Sequence, residues 1–154
     1  MKSRYDDIDA EILRALQADS RLSLRQLSAR VHRSPTSVFE RVRRLEDEGV
    51  IRGYTIALDR ERLGRDFAVF CNVKLRRINA SIHEAFAREV AAMDEVTECY
   101  NVSGTYDYML KVEVPDMNTY RNFVTDRLGN LDMLETVTSV FVMSTVKLES
   151  PTIF

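Results

Sequence analysis

Seven arginines, at positions 21, 25, 30, 33, 41, 43 and 44, crowd one short stretch in which Glu40 is the only acid. Guanidinium groups carry a fixed positive charge and a planar fork of donors that matches phosphate oxygens and guanine edges. In a chain of net charge -2, this local reversal of sign marks a polyanion-binding surface. The candidate contacts are Arg25, Arg33, Ser34, Thr36, Ser37, Glu40, Arg41 and Arg44. Short hydroxyls near a helix start can approach phosphates and base edges, and arginines further along can reach phosphate or guanine. Double-stranded DNA is the partner this chemistry suits. Most charge runs are no more than solvated helical faces, but here basic excess, capping signals and turn length agree.

The elements that must hold these residues are three helices. Ile8, Ile12, Leu13 and Leu16 give a first apolar stripe that Asp6 or Asp7 can cap. Ser23 and Gln26 have capping-box spacing ahead of Leu24, Leu27 and Val31. After the short turn His32-Arg33-Ser34, Ser34 can cap a third helix with Pro35 in its first position, and Gly49 can end it. Val38, Val42 and Leu45 share its buried face, which leaves Thr36, Ser37, Glu40, Arg41 and Arg44 toward the other face or its flanks. His32 reads as a solvent-facing turn residue.

Residues 50–59 are β-prone and read as a strand leaving this unit. The expected organisation is a DNA-binding domain over 1–60, hinge strand included, and a second domain over 66–150. Charge divides the same way: residues 1–66 carry a net charge of +2 and residues 67–154 a net charge of -4.

Beyond Asp66 the pattern is strand, helix, strand, strand, helix, strand. Phe67, Val69, Cys71, Val73 and Leu75 alternate with period two, and Ser81 and Glu84 form a capping-box pair before a helix bearing Phe86 and Val90. Val96–Ser103 and Tyr108–Val114 flank a hairpin, Asp116 can cap a helix stopped by Gly129, and Val137–Leu148 is the last strand. The fold class is α+β: a three-helix, winged-helix-like helix-turn-helix joined by a β hinge to a ferredoxin-like βαββαβ domain. Both helices of such a unit cover one sheet face. The other is expected to present Phe70, Cys99, Met109, Val137, Phe141 and Met143, with Phe70, Met109, Phe141 and Met143 as the homodimer interface.

With 45% apolar and 30% charged residues the chain reads as a globular protein. It lacks the apolar run of a signal peptide or membrane span, and so is expected in the cytoplasm. Cys71 and Cys99 lie far apart and read as buried reduced thiols, not as a metal site or disulfide. No cofactor is expected. An enzyme would need convergent nucleophile, base and oxyanion donors, whereas His32 and His83 are isolated and no glycine-rich phosphate loop occurs.

Ser34-Pro35-Thr36, then Glu40 to Glu46, Gly49, Ile51 and Gly53-Tyr54-Thr55 closely resemble the helix-turn-helix of the Lrp/AsnC (feast/famine) transcriptional regulators. Glu98-Cys99, Val102-Ser103-Gly104, Asp107-Tyr108, Leu110-Lys111, Val114 to Met117 and Tyr120-Arg121 resemble that family's effector-binding and assembly domain. The resemblance spans nearly the whole chain. It implies a regulator that dimerises, often assembles into octamers, and binds an amino acid between dimers.

Carried over by motif position, the effector residues are Gly104, Thr105, Tyr106, Asp107, Tyr108, Met117, Val140, Phe141 and Val142. Asp107 would meet an ammonium group and the amides near Gly104 a carboxylate. The residues alone fit ordinary hairpin chemistry equally: glycine for positive φ and aspartate for a local side-chain bond. Thr105 and Tyr106 stand where some relatives have an acidic residue and phenylalanine, so the effector's identity stays open. Two other readings are an effector-independent architectural protein that bends or wraps DNA, and a small-molecule-binding module whose basic helices meet another protein.

Overall fold

The structure is a computed structural model that describes residues 4–147. The chain divides into two compact units, one running to Ala57 and the other from Leu58 to Val146.

The first unit contains α1 (Asp7–Ala18), α2 (Leu24–Arg30) and α3 (Pro35–Asp47). Each begins where its side chains satisfy backbone N–H groups that have no partner within the helix. Asp6 accepts from the Asp9 N–H and Asp9 accepts from the Asp6 N–H, a reciprocal capping box. Ser23 and Gln26 repeat that arrangement on α2, and Ser34 caps α3 with Pro35 in its first turn. The core is Ile12, Ala15, Leu27, Val31, Val38 and Leu45, with Ile8, Leu16, Val42 and Ile51 packed around it. Burying these side chains is what holds helices of this length together, since none would persist alone in water.

Two helix ends use the same backbone lock. After α3, Gly49 takes φ of +70°, the Gly49 N–H donates to the Glu46 carbonyl, and the Val50 N–H donates to the Leu45 carbonyl. After α2, His32 occupies the equivalent left-handed position at φ +52°, and the Arg33 N–H donates to the Ser28 carbonyl. A side chain there crowds the following carbonyl, which costs about 1 kcal/mol.

The expected hinge strand does not form as a strand. Residues 52–59 pair with no strand among the described residues, and a strand needs a neighbouring edge to satisfy its backbone.

The second unit holds β1 (Phe67–Leu75), α4 (Ala80–Ala91), β2 (Val96–Asn101), β3 (Tyr108–Val114), α5 (Met117–Asn122) and β4 (Leu134–Phe141). The sheet is antiparallel in the order β2-β3-β1-β4, the ferredoxin-like arrangement. Val69, Cys71, Val73, Leu110, Val112, Phe86, Val90, Tyr120, Phe123 and Leu128 build its core on the helix side of the sheet.

Several boundaries differ from the expectation. Asn79, not Ser81, caps α4, accepting from the Ile82 N–H at 2.9 Å. α5 loosens into a π-helical turn at Phe123–Arg127 and a 3₁₀ turn at Leu128–Asn130 before Gly129 can stop a regular helix. β4 runs from 134 to 141 instead of 137 to 148, and Leu148 lies outside the described residues.

The register corrects the composition of the bare face. Val73 pairs with Val137, Val69 with Phe141 and Leu110 with Cys99, so Val137, Phe141 and Cys99 share the helix side with the core. Phe141 packs against Phe67 and Tyr120 at ring separations of 6.0 and 5.6 Å. Met143 lies beyond the strand and is exposed. Phe70 and Met109 do face away from the helices, with Tyr100 and Val140 as apolar company. A single-residue difference in phase moves a strand's side chains to the opposite face.

Replacing His32 by glycine removes the left-handed penalty, so His32→Gly is expected to stabilise the first unit by about 1 kcal/mol. Slower amide exchange in α2 and α3 would register the gain.

Candidate nucleic-acid interface and ligand site

α3 carries two polar stripes as well as its buried one. Along one side, Ser37, Arg41, Arg44 and Glu48 recur at helical spacing and face the start of α1. Arg41 Nη1 donates to Asp6 Oδ1 and to Asp9 Oδ1, both at 2.8 Å, and Arg44 Nη2 donates to Asp9 Oδ2 at 2.6 Å. Arg4 pairs with Glu48 at 2.9 Å. Asp9 is 1% exposed, so a full carboxylate charge is held out of water by two guanidiniums and the Asp6 N–H. Asp6 titrates below the ordinary carboxylate range because the Asp9 N–H and then Arg41 favour its ionised form, and the Arg41 guanidinium is shifted upward by Asp9 and Asp6.

Two of the sequence-predicted DNA contacts are thus also engaged within the unit, Arg41 with its side chain 24% exposed and Arg44 with its side chain 46% exposed. Arg41 and Arg44 tie α3 to α1, and swinging either outward would strip a buried carboxylate of a partner. Ser34 Oγ accepts the Ser37 N–H, which leaves its own O–H to donate outward. Ser37 is half-buried. Arg25, Arg33, Thr36 and Glu40 are exposed as expected. Two residues not singled out from sequence join them: Arg43, whose side chain is 71% exposed, and Phe39, exposed to 53%. The recurrence of acids at 6 and 9 and of arginines at 41 and 44 was the available signal, since it pairs two helix faces across the unit.

In the second unit the effector candidates fall into two groups, at opposite ends of β1. Around the hairpin, Gly104 has φ of +127° and the Thr105 carbonyl accepts from Lys74 Nζ at 3.2 Å. The Tyr106 hydroxyl donates to Thr138 Oγ1 at 3.3 Å. Asp107 binds the hairpin to β1: its N–H donates to the Val73 carbonyl, its Oδ2 accepts the Leu75 N–H at 2.8 Å, and its carbonyl accepts the Val102 N–H. Tyr108 is a core residue, its ring 4.4 Å from Phe86 and its hydroxyl 2.7 Å from His83 Nδ1. At the far end, Met117 is exposed on the first turn of α5, Val140 lies on the open face and Phe141 on the helix side. The Val142 N–H donates to the Ala68 carbonyl.

A groove of about 470 Å³ between α4 and β2 is lined by Val90, Val96, Cys99 and Asn101 and includes Tyr108 alone of the nine candidates. On the open face, burial opposes the charge of Lys111, but Glu98 and Glu113 outweigh it and shift its titration upward. Lys111 lies 2.9 Å from Glu98 and 3.2 Å from Glu113, and Arg60 also pairs with Glu113. The face is therefore a mixture of apolar and charged groups. Among the described residues no cluster of His, Cys, Asp and Glu has the makings of a metal site, and no helix is long and apolar enough to cross a membrane.

A basic helix-turn-helix followed by a ferredoxin-like domain defines a class of transcriptional regulator. A model described as winged helix-turn-helix DNA-binding matches residues 5–52, and one described as Lrp/AsnC ligand binding domain matches residues 68–152. The chain is 42% identical over 142 residues to the leucine-responsive regulatory protein of Escherichia coli K12, covering 92% of this chain and 87% of that one. Its structure resembles an AsnC family regulator from Agrobacterium tumefaciens (TM-score 0.90, 32% identity, 96% and 97% of the two chains covered). It also resembles a Neisseria meningitidis transcriptional regulator solved with L-Met (TM-score 0.89, 33% identity, 94% and 93% covered). The chain belongs to the Lrp/AsnC family of DNA-binding transcriptional regulators.

Neutralising Asp9 leaves Arg41 and Arg44 without their shared counter-charge. Asp9→Asn is expected to destabilise the first unit by about 3 kcal/mol. Hydrogen exchange of the α1 and α3 amides is the measurement, and unchanged protection would show that the pairs contribute nothing to holding the helices.

Proposed function

We propose that this chain regulates transcription in the cytoplasm as a self-associating protein. In this reading it sets two copies of α3 into successive major-groove faces of double-stranded DNA and is modulated by an amino acid bound to its ferredoxin-like unit. The observation that carries the DNA side is the cluster of outward arginines, Arg25, Arg33 and Arg43, around α3 in a chain of net charge -2. Ser34 and Thr36 add donors at the positive end of the helix dipole.

Self-association is supported by two surfaces. Phe70 and Met109, with Tyr100 and Val140, put apolar groups on the open sheet face, and Met143 stands exposed beside β4. Tyr54, Ile56 and Leu58 alternate in sequence along the unpaired segment and are exposed, and a second copy can supply the missing strand. Higher assembly into octamers belongs to the same reading.

For the effector, the Neisseria relative's complex with L-Met supports an amino acid. Gly104 to Asp107 offer a hairpin beside the open face, with one Asp107 oxygen fixed by Leu75 and the other left to meet an ammonium group. Val140, Phe141, Val142 and Met117 lie too far along the sheet to join that hairpin within one chain, so the complete pocket is assembled from two copies.

The test is fluorescence anisotropy of the full chain on the DNA upstream of its own gene, at stated salt, alone and with each common amino acid. Log affinity is expected to fall linearly with log salt, and Arg25→Ala or Arg33→Ala to make that slope shallower by about one. A salt-independent affinity would overturn DNA binding through phosphates. Asp107→Asn keeps an acceptor for the Leu75 N–H while removing the charge. It is expected to fold normally, bind DNA as the parent does, and lose the amino-acid response. A variant that responds as the parent does would remove Asp107 from the effector site.

A further inference from the structure

The outward stripe of α3 runs through Thr36, Phe39, Glu40 and Arg43, positions related by three or four residues. Phe39 is 53% exposed and sits outside the core cluster of its unit. Holding a benzyl group in water on a DNA-facing helix is unfavourable unless an apolar surface meets it in the complex. In the major groove, the thymine 5-methyl is that surface.

Arg43 stands one helical turn further on. Its ion pair with Asp47 is 3.9 Å long between two exposed side chains, which is weak and readily exchanged. Its fork is therefore available for guanine O6 and N7, unlike that of Arg41, which meets both Asp6 and Asp9. Glu40 has no ion pair among the described residues and can only accept, which fits the cytosine N4 amino group. A helical turn advances about 5.4 Å and a base step about 3.4 Å, so Phe39 and Arg43 reach bases one or two steps apart.

We propose that Phe39 and Arg43 are the specificity-determining residues of this regulator. Phe39 reads a thymine methyl, Arg43 reads a guanine one or two steps away, and Glu40 adds a preference for cytosine. The inference rests on the DNA-binding function proposed above and names the bases that function reads.

The experiment begins by selecting duplexes from a random pool with the full-length protein, then measures affinity for the selected site carrying uracil at each thymine or 7-deazaguanine at each guanine. For the parent, one uracil per half-site is expected to weaken binding about fourfold, the loss of one buried methyl. One 7-deazaguanine is expected to weaken it about fivefold or more, the loss of one arm of a bidentate pair. Phe39→Ala should be insensitive to that uracil and Arg43→Ala to that deazaguanine. If the parent selects a clear site and Phe39→Ala and Arg43→Ala select the same one, this inference is overturned and the DNA-binding function stands. If the parent enriches no sequence at all, both fail. A parent that selects a clear site yet is insensitive to every uracil and every 7-deazaguanine overturns the inference as well, and since that arm uses the unmodified protein, a folding defect in a variant cannot mask it.

Discussion

A carboxylate removed from water must be met by positive charge, and in the first unit that requirement falls on Asp9. Its two oxygens are taken by Arg41 and Arg44, and through them the start of α1 is fixed against the side of α3. The apolar core of that unit is small: six buried side chains cannot alone specify the rotation of one short helix against another. Directional charge-assisted bonds can, because they lose their stabilisation when the geometry slips. The same contact helps decide which side of α3 faces outward.

In the second unit the corresponding constraint is the central position of β1. It pairs with β3 on one side and β4 on the other, so its alternation sets which side chains of three strands face the helices. Lys111, Glu98 and Glu113 on the open face are mutually satisfied within the chain. A partner covering that face would meet these three charges already paired, which lowers the desolvation cost of association.

Much of this was legible because it is local. Ser23 with Gln26, Ser34 with Pro35, and Asp116 announced helix starts, and the alternation from Phe67 to Leu75 announced β1. What escaped depends on pairings distant in sequence. Asp9 and Arg41 are 32 residues apart, and from α3 alone Arg41 looks as available to DNA as Arg43. β4 puts a valine and a hydroxyl residue on each face, so nothing local sets its phase, and Val137 and Phe141 were placed on the wrong side. The nine effector positions came from motif resemblance, and the distance between Tyr106 and Met117 emerges only from the strand register. The hinge segment was read as a strand from its composition, but whether a segment finds an edge to pair with depends on the rest of the chain, and among the described residues it finds none.

The separation of the two polar stripes on α3 also bears on how such a protein changes over generations. Residues that hold the helix in place and residues that face the outside share no ion-pair partner, so an exchange at position 36, 39, 40 or 43 disturbs at most the weak Arg43–Asp47 pair. Mutations there are close to neutral for folding and, under the base-reading role proposed for them, are filtered by target choice. A duplicated copy can thus acquire a new set of promoters by single substitutions, without first passing through an unstable intermediate.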